Sequence, residues 1–327
     1  MFIAGDIGGT KTLLALYVRT ETGWVNQHEA SFSSRQYPDF QSLLQAFMAD
    51  LDGVPDTLCL GVAGPVIEGR SEVTNLSWTL AENELAEVTG IPRVKLLNDL
   101  QAMSLGLLRL PSDRFIELNP EALHRAGNQA VLAAGTGLGE SILHWDGERY
   151  HALASEGGHT DFAPNDAVES GLLHYLGKRY SHVSYERILS GAGLVNLYEY
   201  LKDTDFAPQS LVMKERLAAT DDRAREISQA GLEEGDALSR EALRLFARIY
   251  GAEAGNLALK CFATGGVMLG GGIAPKILPV LTSGAFMESF CAKGRFADFM
   301  RSIPVRVALD SSTGLLGAAS WAELHSP

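Results

Sequence analysis

The sequence has few cysteines and no long apolar run. Only three cysteines occur in 327 residues, Cys59, Cys261 and Cys291, and no two of them form a CxxC pair. This spacing argues against a disulfide framework or a zinc site and favours reduced thiols in a core. No apolar segment approaches the ~20 residues that a membrane helix needs. The first residues, MFIAGDIGG, do not resemble a signal peptide, so we expect a cytoplasmic protein.

Positive charge is also scarce. The chain has 40 acidic and 27 basic residues, a formal net charge of −13. This balance argues against nucleic acid or an anionic membrane as the main partner. Neither a P-loop (GxxxxGK[ST]) nor a GxGxxG motif is present. An anionic nucleotide would therefore have to be held by local devices, such as backbone N–H groups, helix N-termini and a metal cation.

Strand and helix signals alternate in the first third of the chain, which indicates an α/β protein with a parallel section of sheet. The length favours two domains. Pro38-Asp39 opens a helix with apolar residues from Phe40 to Leu51 at helical spacing. A second helix is predicted over 79–89. Strands are predicted at 2–5, 13–18, 24–32, 57–62 and 93–97.

The rest of the chain is less regular. A strand at 130–134 runs into GTGLG, and a hairpin is predicted with its turn at Asp146-Gly147. Residues 205–230 are polar and have no clear pattern. Further helices are predicted at 166–178, 192–202 and 236–259 and after TGLLG, and further strands at 141–145, 149–154, 267–269 and 305–309.

Three glycine-rich turns follow predicted strands. The first is GDIGGT (5–10), the second GTGLG (135–139) and the third Gly270–Gly272. Glycine lets a backbone turn tightly and approach a ligand closely, although each turn alone could simply close a hairpin. In the first turn, Asp6 and Thr10 add a carboxylate and a hydroxyl, where a phosphate and hydrated Mg²⁺ could meet. Three such turns are more than folding requires.

Polar side chains stand at two further places. Asn98-Asp99 ends a predicted strand, where ligands of α/β sheets bind, although either residue could equally cap the next helix. An aspartate there can accept a proton from a substrate hydroxyl. The EGGH turn, Glu156–His159, offers a carboxylate and an imidazole to hydroxyl groups but is equally typical of a surface turn. Glu186 taken alone indicates only an exposed residue at a helix start.

Together these motifs resemble the bacterial glucokinase family, which belongs to the sugar-kinase, actin and heat-shock-protein superfamily. The similar segments run the full length in the family's order. They are GDIGGT (5–10), TNLSW (74–78), LLNDLQA (96–102), AGTGLGES (134–141), EGGHTDFAP (156–164), SYERILSGAGLVNLY (184–198), GNLAL (255–259), GGVMLGGGIAP (265–275), KGRF (293–296) and TGLLG (313–317).

The resemblance implies an α/β, two-domain sugar-kinase/actin-like (ribonuclease H-like) fold with a central cleft. Residues 1–108 plus 301–327 would form a small α/β domain and 109–300 a large α+β domain. It further implies ATP and Mg²⁺ as cofactors, glucose as the second substrate and a homodimer as the assembly.

The resemblance also implies roles for individual residues. Asp99 would be the base for the 6-hydroxyl of glucose. The other hydroxyls would be held by Asn75, Asn98, Glu156, His159 and Glu186. The ATP phosphates would contact Gly5, Asp6, Ile7, Gly8, Gly9, Thr10, Gly135, Thr136 and Gly137, and the adenosine would lie against Gly271 and Gly272.

Two departures from the family pattern fall on the phosphate side. Lys11 follows Thr10 where Asn is common, and Glu140 follows GTGLG where a small or apolar residue is common. The related repressor/kinase family carries a zinc-binding cysteine cluster after the histidine, and this sequence lacks it. A broad-specificity hexokinase, a non-enzymatic sugar-sensing regulator and a nucleotide hydrolase on the same fold remain as alternatives.

Overall fold

The computed structural model describes residues 1–21, 23–49, 51–74, 76–310 and 313–327. They form two compact units. The first comprises 1–112, 152–154 and 312–327, and the second comprises 113–151 and 155–311. The chain thus returns to the first unit at 312 and not at the expected 301, because a strand at Val305–Ala308 pairs within the second unit's sheet.

The first unit contains seven of the strands in the described part of the chain, and four helices. The strands are β1 (Phe2–Ile7), β2 (Lys11–Thr20), β3 (Gly23–Ser33), β4 (Thr57–Val62), β5 (Arg70–Glu72), β6 (Thr79–Ala81) and β7 (Arg93–Asn98). The helices are α1 (Phe40–Met48), α2 (Glu82–Thr89), α3 (Asp99–Leu107) and, as the last helix of the chain, α12 (Thr313–His325).

The main sheet of this unit has the order β3-β2-β1-β4-β7. Strands β1, β4 and β7 are parallel, with Ile7 beside Val62 and Val62 beside Asn98. Their carboxyl ends therefore meet at one edge, the place where ligands of such sheets bind. Helix α12 packs on α3, β1 and β4.

Helix α1 matches its predicted apolar stripe as far as Met48, where the helix ends before Leu51. Phe40, Leu43, Leu44 and Phe47 are buried, and the Asp39 carboxylate caps the helix by accepting a hydrogen bond from the Ser42 N–H at 2.8 Å. The predicted helix over 79–89 is wrong at its start. Residues 79–81 form β6, which pairs with β5, and α2 begins only at Glu82.

The second unit contains the remaining described elements. Its strands are β8 (Phe115–Glu117), β9 (Gln129–Ala134), β10 (Leu138–Trp145), β11 (Tyr150–Ser155), β12 (Gly266–Gly270) and β13 (Val305–Ala308), although residues 152–154 of β11 belong to the first unit. Its helices are α4 (Ala167–Leu176), α5 (Gly191–Asp203), α6 (Leu211–Ala218), α7 (Arg223–Gln229), α8 (Ala237–Lys260), α9 (Leu278–Leu281), α10 (Ala285–Cys291) and α11 (Ala297–Arg301).

The sheet of the second unit has the order β11-β10-β9-β12-β13-β8, and β9, β12 and β13 are parallel. Residues 205–230, where the sequence shows no clear pattern, contain the two helices α6 and α7. Ser210 and Asp222 cap α6 and α7, and Met213, Leu217 and Ile227 are buried in the core of the unit. Short helices of this kind depend on caps and tertiary packing more than on a continuous stripe.

Two findings bear on the compositional predictions. Cys59 is free and buried, and Cys261 and Cys291 are free and partly buried. Within the described ranges, no helix combines the length and apolar character needed to span a membrane.

Candidate functional site

The first Gly-rich turn closes the antiparallel hairpin of β1 and β2. The Gly8 N–H donates to the Lys11 carbonyl at 3.0 Å, as in an ordinary hairpin. The turn is also braced by Ser34, which is fully buried. The Ser34 hydroxyl donates to the Gly8 carbonyl at 2.8 Å, and its N–H donates to the Thr10 carbonyl at 3.0 Å. No local sequence pattern points to Ser34, because it reaches the turn from a distant segment.

Side chains of β1 alternate between two faces. Gly5 and Ile7 face the core: a Cβ on Gly5 would lie 2.5 Å from Leu60 Cδ2, and Ile7 is buried. The Asp6 carboxylate lies on the other face beside Gly314, whose added Cβ would lie 2.9 Å from Asp6 Cγ. Any ATP contact of Gly5 or Ile7 would therefore come from the backbone, whereas Asp6 can offer its side chain.

The Asp6 carboxylate is partly buried, and this affects its charge. Burial raises the pKa of Asp6 above its ordinary value, and the nearby Lys11 ammonium acts in the opposite direction. Gly314 is the second residue of α12, so this carboxylate lies at a helix N-terminus, where a negative charge is favoured.

Asn98 and Asp99 lie at the end of β7 and the start of α3. Asn98 caps the helix: its Oδ1 accepts from the Leu100 N–H at 2.9 Å, and its Nδ2 donates to the Gly64 carbonyl at 3.1 Å. Gln101 completes a capping box by accepting from the Asn98 N–H at 3.1 Å. The prediction that a residue of this dipeptide caps the next helix is thus confirmed for Asn98. Asp99, half-buried, is the first residue of the helix.

Gln101 has a second contact. Its Nε2 donates to the Ala152 carbonyl at 3.0 Å, so it ties the start of α3 to a short returning segment of the chain. Gln101 is not among the predicted site residues, although the Asn-x-x-Gln spacing is a capping-box signal.

The predicted ligand Asn75 lies outside the described residues. Its neighbour Thr74 lies near the same sheet edge as Asn98, since both residues are close to Gly64. A Cβ on Gly64 would lie 3.3 Å from Thr74 Oγ1. Gly64 has a φ of 140°, which favours glycine, and its carbonyl is the one bound by Asn98.

The second and third Gly-rich turns meet in the second unit. The second turn connects β9 to β10, with the Gly135 N–H donating to the Gly137 carbonyl at 2.8 Å. In the third turn, Gly271 has a φ of 78°, and a Cβ there would overlap the Ala134 carbonyl. The Ile273 N–H donates to that carbonyl at 3.1 Å. Both turns therefore lie against the end of β9.

A cavity of about 480 Å³ opens beside the second turn. Thr136 lines one part of it, and the N-terminal ends of α5 and α7 line others. Its further lining residues include Ala192, Val195, Asn196, Glu199 and Arg223.

The EGGH turn forms a short 3₁₀-helix at Gly157–His159, with Glu156 at its start. His159 and Glu186 approach each other: His159 Nδ1 lies 4.0 Å from Glu186 Oε1. The other oxygen of Glu186 accepts from the N–H of Leu138, a residue of the second turn, at 3.1 Å. Glu186, which alone indicated only an exposed helix start, is thus partly buried between two of the predicted motifs.

Glu140 lies behind the EGGH turn and is almost completely buried, with 1% exposure. A Cβ on Gly157 would overlap its carboxyl group. Burial raises the pKa of Glu140 to about 8, and the buried Glu253 adds to this effect while Lys260 opposes it. At neutral pH the Glu140 carboxyl group is therefore neutral, and it packs against the EGGH turn.

The chain is similar to known proteins along its whole length. A family model described as Glucokinase matches residues 3–325. The chain is 42% identical to the glucokinase of Synechocystis sp. over 97% of this chain and 96% of that protein. It is 37% identical to the glucokinase of Nostoc sp. over 98% of both proteins.

Solved structures show the same likeness. A glucokinase from an Antarctic psychrotroph superposes with a TM-score of 0.84, at 27% identity over 98% of both chains. A ROK family glucokinase from Streptomyces griseus, solved with glucose and AMPPNP, has a TM-score of 0.63 at 21% identity and covers 99% of both chains. These likenesses confirm the predicted α/β sugar-kinase fold class.

Proposed function

The chain belongs to the glucokinase family, and from this premise we propose that it catalyses the ATP-dependent phosphorylation of D-glucose to glucose 6-phosphate. The observation that carries the proposal is at the sheet edge of the first unit. There Asn98 is the last residue of β7 and Asp99 follows it, while Asp6 lies near the end of the parallel strand β1, just before Gly8. The proposed proton acceptor and the turn assigned to phosphate thus lie at the same edge of the sheet.

Asp99 is the proposed general base. It would orient the 6-hydroxyl of glucose and accept its proton as the phosphoryl group is transferred. Asp99 is the first residue of α3, and helix N-termini carry a partial positive charge that attracts anions. Phosphoryl transfer depends mainly on positioning and charge stabilisation, so a single well-placed carboxylate is sufficient as the base.

The remaining glucose hydroxyls are assigned to Asn75, Asn98, Glu156, His159 and Glu186. Asn98 supports this role, because its amide is fixed by Gly64 and Leu100 and each amide atom retains further hydrogen-bonding capacity. Such pre-set polar groups select a hydroxyl pattern, since a wrong epimer leaves one of them unpaired.

ATP is assigned to the Gly-rich turns. Its phosphates would lie on Gly8, Gly9 and Thr10 and on Gly135–Gly137, and its adenosine beside Gly271 and Gly272. The cavity next to Thr136 offers further space of about 480 Å³ for the nucleoside. Backbone N–H groups dominate this set, which is how a chain with a net charge of −13 could still hold an anion.

Mg²⁺ fits the same site as a companion of the nucleotide. Across the described residues, no group of three or more His, Cys, Asp or Glu side chains is arranged to hold a metal ion. Mg²⁺ usually keeps several waters and binds one or two carboxylates together with substrate phosphates. Asp6 offers such a carboxylate beside the first Gly-rich turn. Bound Mg²⁺ would neutralise charge on the phosphates.

The proposal extends to the protein's setting. We place the enzyme in the cytoplasm, at the entry of glucose into glycolysis, as a homodimer with no nucleic-acid or membrane partner. The homodimer and the pathway rest on the family alone, and the acidic composition supports the exclusion of nucleic acid.

A coupled assay for ADP release tests the function. We expect ADP to form only when both ATP and glucose are present, and in equal amount to glucose 6-phosphate. ADP release without sugar would indicate a nucleotide hydrolase, and glucose binding without ADP release would indicate a sugar-sensing regulator. Equal rates on an equimolar mixture of glucose and mannose would replace glucokinase by a broad-specificity hexokinase.

A further inference from the structure

Glu186 contacts two motifs that the family resemblance assigns to different substrates. Its Oε2 accepts a hydrogen bond from the Leu138 N–H, at the end of the second Gly-rich turn, at 3.1 Å. Its Oε1 lies 4.0 Å from Nδ1 of His159 in the EGGH turn. One carboxylate is therefore hydrogen-bonded to a phosphate-side turn and lies next to a sugar-side turn.

In the second Gly-rich turn, the Glu186 carboxylate occupies the space beside Gly137 but not the space beside Gly135. A Cβ on Gly137 would lie 2.5 Å from Glu186 Oε2 and 3.3 Å from its Cδ, whereas a Cβ on Gly135 would meet nothing within 4 Å. Neither glycine has the left-handed φ that would itself require glycine. The demand for glycine at 137 is therefore steric, and the obstructing group is the Glu186 carboxylate.

Glu186 cannot easily withdraw by a shift of its backbone. The preceding Tyr185 N–H donates to the Thr160 carbonyl at 3.1 Å, and the Gly191 N–H donates to the Gly135 carbonyl at 2.9 Å. The Ser190 hydroxyl donates to the Glu186 carbonyl at 2.7 Å. The segment that carries Glu186 is thus fastened to both turns, and a side chain at 137 would have to displace the carboxylate itself.

We propose that Gly137 is a positioning residue for the sugar: it acts through Glu186, which couples the second Gly-rich turn to the EGGH turn. The inference rests on the proposed function, because it takes Glu186 as a glucose ligand. It predicts that a substitution in the second Gly-rich turn, which is assigned to phosphate, weakens glucose binding even when no nucleotide is present.

The test compares Gly137→Ala with Gly135→Ala, which adds the same methyl group to the same turn in open space. Glucose affinity is measured by titration calorimetry without nucleotide, and KM values for glucose and ATP are measured separately. We expect Gly137→Ala to weaken glucose binding about tenfold, the equivalent of one charged hydrogen bond. Gly135→Ala should keep the glucose Kd within about twofold of the wild type, whatever its effect on ATP. A wild-type glucose Kd in Gly137→Ala would overturn the inference.

A double-mutant cycle identifies the group that is displaced. In the Glu186→Ala background, Gly137→Ala should have no further effect on glucose affinity, because the obstructing carboxylate is gone. Additive effects would overturn the inference. If Gly137→Ala does not fold, recovery of folding in the Glu186→Ala background supports it, and failure there contradicts it.

The two hypotheses can fail separately. A wild-type protein that neither binds nor phosphorylates glucose would remove the proposed function. A wild-type protein that phosphorylates glucose, together with a Gly137→Ala variant that binds glucose normally, would remove only the role of Gly137.

Discussion

Asn98 caps a helix, and the same dipeptide, Asn98-Asp99, is proposed to bind and activate the substrate. Asn98 is 5% exposed, and both atoms of its amide are already engaged, one with Gly64 and one with Leu100. The cap fixes where α3 begins, and this determines where the Asp99 carboxylate lies. Capping and catalysis, which the sequence analysis treated as alternatives, are therefore compatible here.

Asp99→Asn tests the proposed base. The amide is nearly isosteric, so we expect the glucose Kd to stay within about tenfold while kcat falls by roughly 10²-fold or more, because the proton acceptor is lost. Steady-state ADP release and glucose titration measure the two effects. Asp39→Asn, which alters the cap of α1 in the same unit, is the matched control and should leave kcat unchanged. A near-normal kcat in Asp99→Asn would exclude Asp99 as the base.

Glu140 makes the stability of the protein depend on pH. Its pKa is about 8 in the folded state, against an ordinary value of 4.5. Between these values the folded state binds a proton that the unfolded state has lost, so stability falls as pH rises through this window. The slope for one group reaches about 1.4 kcal/mol per pH unit, and the loss levels off above pH 8.

Glu140→Gln should remove this pH dependence. The amide is neutral at every pH, so the variant should gain free energy of unfolding relative to the wild type between pH 5 and pH 8. Urea unfolding at several pH values measures the difference. Glu148→Gln changes an exposed residue after the same strand and should show no such trend. A constant difference between Glu140→Gln and the wild type across this range would contradict the assignment of the buried proton to Glu140.

At the scale of the element, the β1–β2 hairpin depends on a residue outside it. Ser34 lies after β3, and its hydroxyl binds the Gly8 carbonyl and lies 3.0 Å from the Thr12 hydroxyl. Both Ser34 and Thr12 are fully buried, so water cannot replace a lost partner.

Ser34→Ala should therefore loosen the first Gly-rich turn. We expect a loss of about 1–3 kcal/mol in stability and a several-fold rise in the KM for ATP. Glucose affinity without nucleotide should be unchanged, because the turn is assigned to phosphate. Thermal unfolding and steady-state kinetics measure these effects. Ser31→Ala, an exposed serine of β3, is the control. A wild-type KM for ATP in the folded Ser34→Ala variant would contradict the proposal that Ser34 holds the first Gly-rich turn in place.

Elements with a clear local pattern could be predicted from the sequence, and those that depend on tertiary contacts could not. Helix α1 carries its own stripe and cap, and its prediction matches. Strand β6 has only three residues and exists because β5 lies beside it. Helices α6 and α7 lack a continuous stripe and depend on the core that buries Met213 and Ile227.

The same distinction applies to the candidate site. Contiguous motifs such as Asn98-Asp99 and EGGH were visible because chemically useful residues are adjacent in the chain. Other contacts join residues that are far apart in the chain: Ser34 with Gly8, Gln101 with Ala152, and Gly314 with Asp6. No local sequence pattern reveals such pairs. The individual roles of the motif residues in catalysis stay predictions.

At the scale of the whole molecule, both chain ends build the first unit. Residues 312–327 return to it after the second unit is complete, and α12 packs on α3 through glycine: a Cβ on Gly317 would overlap the Ala102 carbonyl. The predicted boundary at 301 followed the family, whereas the pairing of β13 with β12 and β8 moves it to 312.

The net charge of −13 is also a property of the whole molecule, and it opposes the approach of the proposed donor. Mg·ATP carries about two negative charges, so distant acidic residues repel it, while the backbone N–H groups assigned to it act only at contact. Added salt shortens the range of this repulsion from about 30 Å at 0.01 M to about 8 Å at 0.15 M. Glucose has no net charge and is not subject to it.

We therefore expect kcat/KM for Mg·ATP to rise about twofold to fivefold between ~0.01 M and ~0.15 M potassium chloride. The kcat/KM for glucose, measured at saturating Mg·ATP in the same buffers and at constant free Mg²⁺, should stay constant and serves as the internal control. Most enzymes that bind nucleotides through clustered lysine and arginine side chains would show the opposite trend, since salt screens attraction as well. A steady fall of kcat/KM for Mg·ATP with salt would mean that a local cationic surface, and not the backbone of the Gly-rich turns, dominates donor binding.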